Sequence, residues 1–218
     1  MPRDDAVVQL KRVVSHSLHP DFATPGHLHY HDVSVLVLDE GLDLGTEFVR
    51  PVHLPTVEDV ERMKGGSGGA EQQDSLVVTG WGHLDPRRRG KLMQENLITT
   101  FSNSYCDHIF NGTGLTEGVG FTAGLGCGAS PLTLRGVCTG DDGSGLVKLD
   151  HDIRRFVLMG VLTDDPFDPD CGTREKPNVF VRVWADSILT FLWKEVFGIT
   201  LASPPQIPHI SQQDISEV

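Results

Sequence analysis

The stretch "CTGDDGSGLV", Cys138 to Val147, places two adjacent carboxylates, Asp141 and Asp142, between Gly140 and Gly143. Glycine tolerates the left-handed backbone of a tight turn, so this loop can bend sharply and aim successive N–H groups at one point, a cradle for a developing negative charge. The side chain at the tip is an acid and not an alcohol. A carboxylate attacking an amide would form a mixed anhydride with a poor driving force, and it has no proton for a base to remove. Beside the N–H cradle it would occupy those donors or repel an anionic transition state. Ser144, two residues on, is the nearest hydroxyl in the sequence.

Ten histidines are available as bases or ligands. In "HLHYH", His27, His29 and His31 fall on one face if the segment is extended, a geometry that a metal could use. No complementary ligand set accompanies them, so the segment reads as a solvated loop, and neither a metal nor another cofactor is expected. Cys106, Cys127, Cys138 and Cys171 allow three disulfide connectivities or none. "NGT" at Asn111 is an acceptor for glycosylation in an exported protein.

The elements that must hold these groups are short. "KRVVSHSLH", "DVSVLVLD", "DSLVVTGWG", "LMQENLITTF", "GLVKLD", "FVLMGVLT" and "NVFVRV" are rich in Val, Leu and Ile and are bounded by Gly, Pro, Asp or Asn, as strands are. With 24 glycines and 13 prolines in 218 residues, the chain reads as a turn-rich all-β protein, long enough to bury one sizeable core or two small ones. "VWADSILTFLWKEVFG" has helical period instead, with Trp184, Ile188, Leu192 and Val196 on one face and Gly198 as a stop. "ERMKGGSGGAEQQD", residues 61–74, reads as a flexible connector, and residues 198–218 as a disordered tail.

A formal net charge of −12 argues against nucleic acid or an anionic membrane as partner, which leaves a protein or peptide. No run of about 18 apolar residues occurs, and "MPRDDAVVQLKRVV" lacks the features of a signal peptide.

Taken in order, these pieces resemble the chymotrypsin/trypsin-like serine proteases. "HPDF" followed by "HDVSVLVLD" looks like the segment carrying the triad aspartate, which would be Asp32, and "PVHLP" like the stretch closing the first barrel. "VVTGWG" resembles the opening of the second barrel, "SNSYC" the intermediate-helix region, and "FTAG" the next strand. "CTGDDGSGL" resembles the nucleophile loop, and "CGTREKPNVFVRV" the pocket strand before the closing helix. The resemblance implies a double β-barrel with a remnant of the first barrel in residues 1–60. The second barrel and its helix would occupy residues 75–197. The family's catalytic histidine and about four first-barrel strands belong upstream of "HPDF", so a truncated first barrel with an exposed apolar edge strand is expected.

Residue by residue, the resemblance puts Asp142 at the place of the nucleophilic serine. Asp141 matches the aspartate that pairs with the terminus freed by activation, and Gly140, Asp141 and Gly143 form the oxyanion loop. Asp32 has no histidine to orient, and is expected to serve as an aspartate at the start of a strand, bonded to nearby backbone. His31, adjoining it, would point to the opposite face. Gly136 matches the floor of the specificity pocket, Thr163, Asp164 and Asp165 its wall, and Asn178 replaces a glycine there, so the pocket should be narrower and acidic. Cys138 and Cys171 match one family disulfide. Cys106 matches the first half of another whose second half falls at Thr122, leaving a shifted bridge to Cys127 or two free thiols. Secretion follows from the resemblance. The function implied is either a catalytically inactive homologue that binds protein, or a serine endopeptidase of which this chain is a fragment.

Overall fold

The computed structural model describes residues 8–23, 29–46, 48–63, 74–85, 88–89, 92–111, 121, 124–131, 137–150, 154–163, 173 and 176–198. In chain order the elements are β1 (Val13–Leu18), β2 (Ser34–Leu38), α1 (Val57–Met63), β3 (Ser75–Gly80), β4 (His83–Asp85), β5 (Arg88–Arg89) and β6 (Gln94–Thr100). There follow α2 (Asn103–Phe110), β7 (Leu125–Ala129), β8 (Gly145–Asp150), β9 (Arg155–Leu162), β10 (Asn178–Arg182) and α3 (Asp186–Phe197).

Six strands close into a barrel in the order β10-β7-β6-β3-β8-β9, every neighbouring pair antiparallel. Closure removes the unpaired edges that an open sheet of this size would expose. The period-2 pattern of β3 explains its seat: Leu76, Val78 and Gly80 face the interior, while Ser75 and Thr79 face out. Leu76, Ile98, Leu146, Met159 and Phe180 fill the centre, and Ile188 and Leu189 of α3 join the same apolar cluster.

β7, "LGCGA", is buried along its whole length. Its glycines make room for neighbours: a Cβ on Gly126 would lie 2.6 Å from the Phe180 ring, and one on Gly128 2.7 Å from the Thr99 carbonyl oxygen. The strand expected at "FTAG" is therefore found further along, at Leu125–Ala129, with Thr122 outside the described residues. A run this rich in glycine has no strand propensity to announce it.

β1 and β2 form a separate two-stranded antiparallel sheet, with Val14, Leu18, Leu36 and Val37 exposed. It reaches the barrel through "PVHLP", where the His53 N–H donates to the Phe156 carbonyl oxygen and the Leu158 N–H to that of His53, a parallel bridge onto β9. α1 was not expected, and it runs three residues into the stretch read as connector. Its start is a reciprocal cap: the Thr56 N–H donates to the Asp59 carboxylate, and the Asp59 N–H to the Thr56 hydroxyl. The glycine-rich residues 64–73 and the tail beyond Gly198 lie outside the described residues.

α3 ends at Gly198, in the left-handed conformation, whose N–H caps Lys194 and Trp193. Its buried face differs from the one read from the sequence. Trp184 precedes the helix and Val196 is exposed, while Leu189, Phe191 and Trp193 are buried beside Ile188 and Leu192. The helix is covered on more than one stripe.

Candidate functional site

The acidic turn leads into β8. Gly140 and Gly143 take φ of 90° and 80°, and three main-chain bonds tighten the turn: Asp141 N–H to Cys138 carbonyl, Ser144 N–H to Asp141 carbonyl, and Gly143 N–H to Leu162 carbonyl. The two carboxylates part company. Asp141 is buried; its Oδ1 accepts from the Gly82 N–H at 2.8 Å and its Oδ2 from the Cys138 N–H at 3.2 Å. The carboxylate rests on bare backbone, since a Cβ on Gly80 would lie 1.9 Å from Oδ1. Asp142 is exposed. Ser144 contributes its main chain to the ladder, its carbonyl accepting from the Leu162 N–H.

Asp32 precedes β2, and its partner is not nearby backbone: the Thr163 hydroxyl donates to Oδ2 at 2.7 Å, across 131 residues of sequence. That bond ties the β1–β2 unit to the end of β9. The nearest imidazole among the described residues is His29, whose Nδ1 stands 3.9 Å from Oδ2, beyond hydrogen-bond reach. His31 is not part of a strand. It adopts φ 54° and stacks on His19, with ring centroids 4.7 Å apart. Neither contact was legible in the sequence, and His27 lies outside the described residues.

Asn178, the first residue of β10, is 4% exposed. Its amide donates to the Val137 carbonyl oxygen at 3.0 Å, while its Oδ1 is buried without a partner among the described residues. A side chain thus spans from β10 to the segment just after Gly136. Gly136, Asp164, Asp165 and Cys171 lie outside the described residues. A disulfide joins Cys106 of α2 to Cys127 of β7, so those two thiols are not free. With β7 placed at Leu125–Ala129, this bridge runs from the helix to the strand after it without any shift. Cys138 is disulfide-bonded as well. Asn111 is exposed at the carboxyl end of α2.

Burial pushes the His53 imidazole below the ordinary histidine range, and the Arg155 guanidinium acts in the same direction, its Nη1 lying 3.0 Å from Nε2. No group of three or more His, Cys, Asp or Glu side chains that could hold a metal ion occurs among the described residues.

The family profile described as Trypsin matches residues 2–189. The chain belongs to the trypsin family. Clotting factor C of Tachypleus tridentatus is 28% identical over 185 residues, covering 83% of this chain and 17% of that protein. Serine protease 7 of Drosophila melanogaster is 28% identical over 167 residues, covering 77% and 38% respectively. Phenoloxidase-activating factor 1 of Holotrichia diomphalia is 25% identical over 165 residues, covering 76% and 40%. The chain thus spans well under half the length of these relatives. The closed six-strand barrel, the second sheet and the helix α3 fit the chymotrypsin-like fold of the family. Among the described residues no helix is long and apolar enough to cross a membrane.

The trypsin-family reading singled out Asp32 and Thr163 as separate features, one for the triad and one for the pocket wall. Their mutual bond was missed because nothing in either segment marks a contact between side chains so far apart in sequence.

Proposed function

We propose that this chain is a catalytically silent member of the trypsin family that acts by binding protein through the barrel and its loops. The observation that carries this reading is Asp142, an acid at the tip of a turn whose glycines still bend as a nucleophile loop requires. Acyl transfer in this fold needs an alcohol there, and loss of such a nucleophile costs on the order of a million-fold in turnover. Two further observations support it. No imidazole stands within hydrogen-bond distance of Asp32 among the described residues, and Asn178 places an amide where the family resemblance puts a glycine of the specificity pocket. Disulfide bonding at Cys106, Cys127 and Cys138, with an exposed sequon at Asn111, favours an extracellular setting.

A second reading, a serine endopeptidase in which this chain is one portion, draws on the small share of each relative that is matched. Asp142 stands against it.

The test is chemical. Purified chain is offered a broad peptide library and a fluorophosphonate probe. Neither turnover nor labelling is expected, and Asp142→Ser is expected to remain silent for want of a base. Hydrolysis or labelling that disappears on Ser144→Ala overturns the proposal, as does turnover in Asp142→Ser. Recovery of the protein only as aggregate refutes the binding half.

A further inference from the structure

His19 lies just after β1, 4% exposed, and each of its ring nitrogens is engaged. Nδ1 accepts the Asp21 N–H at 3.1 Å, and Nε2 lies 3.3 Å from the Ser187 carbonyl oxygen at the start of α3. A carbonyl can only accept and a backbone N–H can only donate, so this pair of contacts selects the neutral imidazole with its hydrogen on Nε2. A second proton would have to enter at Nδ1, where the Asp21 N–H already points. One face of the ring stacks on His31, with planes 17° apart, and Phe191 of α3 meets the ring at 5.0 Å. His31 offers no compensation, because its own Nδ1 is buried without a hydrogen-bond partner among the described residues. An imidazolium in this position loses a hydrogen bond and gains neither solvent nor, among the described residues, a contacting counter-ion.

We propose that the stacked His19–His31 pair is an acid-sensitive latch, holding the flanking turns His19–Ala23 and His29–Val33 against α3 at neutral pH and releasing them as the pH falls. The turns are otherwise tied together by main-chain bonds, Ala23 with Tyr30 and His19 with Val33, so they move as a unit. That unit carries Asp32, and its release unhooks the Asp32–Thr163 bond.

The charged groups around the pair decide the sign. On the turns stand Asp21, His29 and Asp32; on α3, Asp186, Lys194 and Glu195 line the groove beside His19; Thr163 reaches in from the barrel uncharged. Burial holds the His19 imidazole below its ordinary range, opposed by the Ser187 carbonyl and the Asp21 carboxylate and reinforced by His31. Since the closed state favours neutral His19, its stability is full above the open-state value near 6.5 and is lost as pH falls through that value toward the depressed one. Uptake of one proton on opening raises the opening constant by up to about thirtyfold between pH 7.5 and 5.0.

Hydrogen exchange on the full chain at these two pH values, corrected for intrinsic rates, reads the latch directly. The Phe22, Ala23, Tyr30 and Val33 amides are expected to lose protection by about threefold to thirtyfold relative to the β3–β6 ladder. His19→Asn keeps an oxygen acceptor for the Asp21 N–H but cannot titrate, and should flatten this pH response whatever its baseline stability. Equal loss of protection in both proteins, or none in wild type, overturns the proposal. Should His19→Asn fail to fold, NMR titration of the wild-type His19 ring decides. A midpoint below about 6.5 supports the latch, and one at or above it refutes it.

Discussion

Replacing Asp141 by alanine isolates the best-defined polar contact of the acidic turn. The wild-type carboxylate satisfies two backbone N–H groups, Gly82 at 2.8 Å and Cys138 at 3.2 Å, in a buried setting walled by the bare backbone of Gly80 and Gly82. Truncation leaves both donors buried and unpaired, at about 1–3 kcal/mol each, so a loss of about 2–6 kcal/mol is expected. For a domain of this size that lowers Tm by on the order of 10 °C. Asp141→Asn should fall between, because one acceptor survives while its amide N–H₂ confronts the other donor. Asp142→Ala is the comparison, since that residue is exposed and surface substitutions usually cost less than burial-dependent ones. Thermal unfolding followed by circular dichroism measures all four proteins. If Asp141→Ala melts within about 1 °C of wild type, or if Asp142→Ala is the more damaging of the two, the assignment of Asp141 as the anchor of this turn is refuted.

Two other outcomes follow from the same geometry. Opening the Cys106–Cys127 bridge, which closes a loop of sequence separation 21, should cost about 3 kcal/mol; Cys106→Ala/Cys127→Ala melting as wild type does would show the bridge to be dispensable. Arg155→Gln removes the cation beside His53 and should raise that imidazole's titration midpoint toward the ordinary range without reaching it, because burial is the larger cause; an unmoved midpoint by NMR would exclude the guanidinium.

Strands β1, β2, β3, β6, β8, β9 and β10 were visible in the sequence because each carries a Val, Leu or Ile run between breakers. β7 was not, because the cluttered interior around Phe180 and Thr99 selects glycine, and glycine erases the propensity signal. α1 did carry a local signature: "TVED" places an acid three residues after a threonine, the pattern of a reciprocal cap, but the adjoining glycine-rich run masked it. The closing helix was legible in type and in its Gly198 stop, yet not in its buried face, since packing also buries residues that a single stripe omits. At the site, residue types were readable, and apart from the Cys106–Cys127 bridge, one of two alternatives in the sequence, partnerships were not. Asp32–Thr163, His19–His31 and Asn178–Val137 join segments between 12 and 131 residues apart, and such contacts are decided by tertiary packing.

On the proposed reading, the neighbouring aspartates account for a fold that would shed chemistry without losing its architecture. Asp141 is held by the barrel: its oxygens replace water for two N–H groups, and its place is cut to shape by glycines on both sides of Trp81. Asp142 is exposed on the turn that those contacts fix. Asp32 behaves like Asp141. Whatever it would do for an imidazole, it already couples the β1–β2 unit to the barrel through Thr163, and removing it would leave that hydroxyl without its acceptor. On the reading proposed here, Asp141 and Asp32 keep contacts that serve the packing, while the exposed tip carries a residue incompatible with acyl transfer.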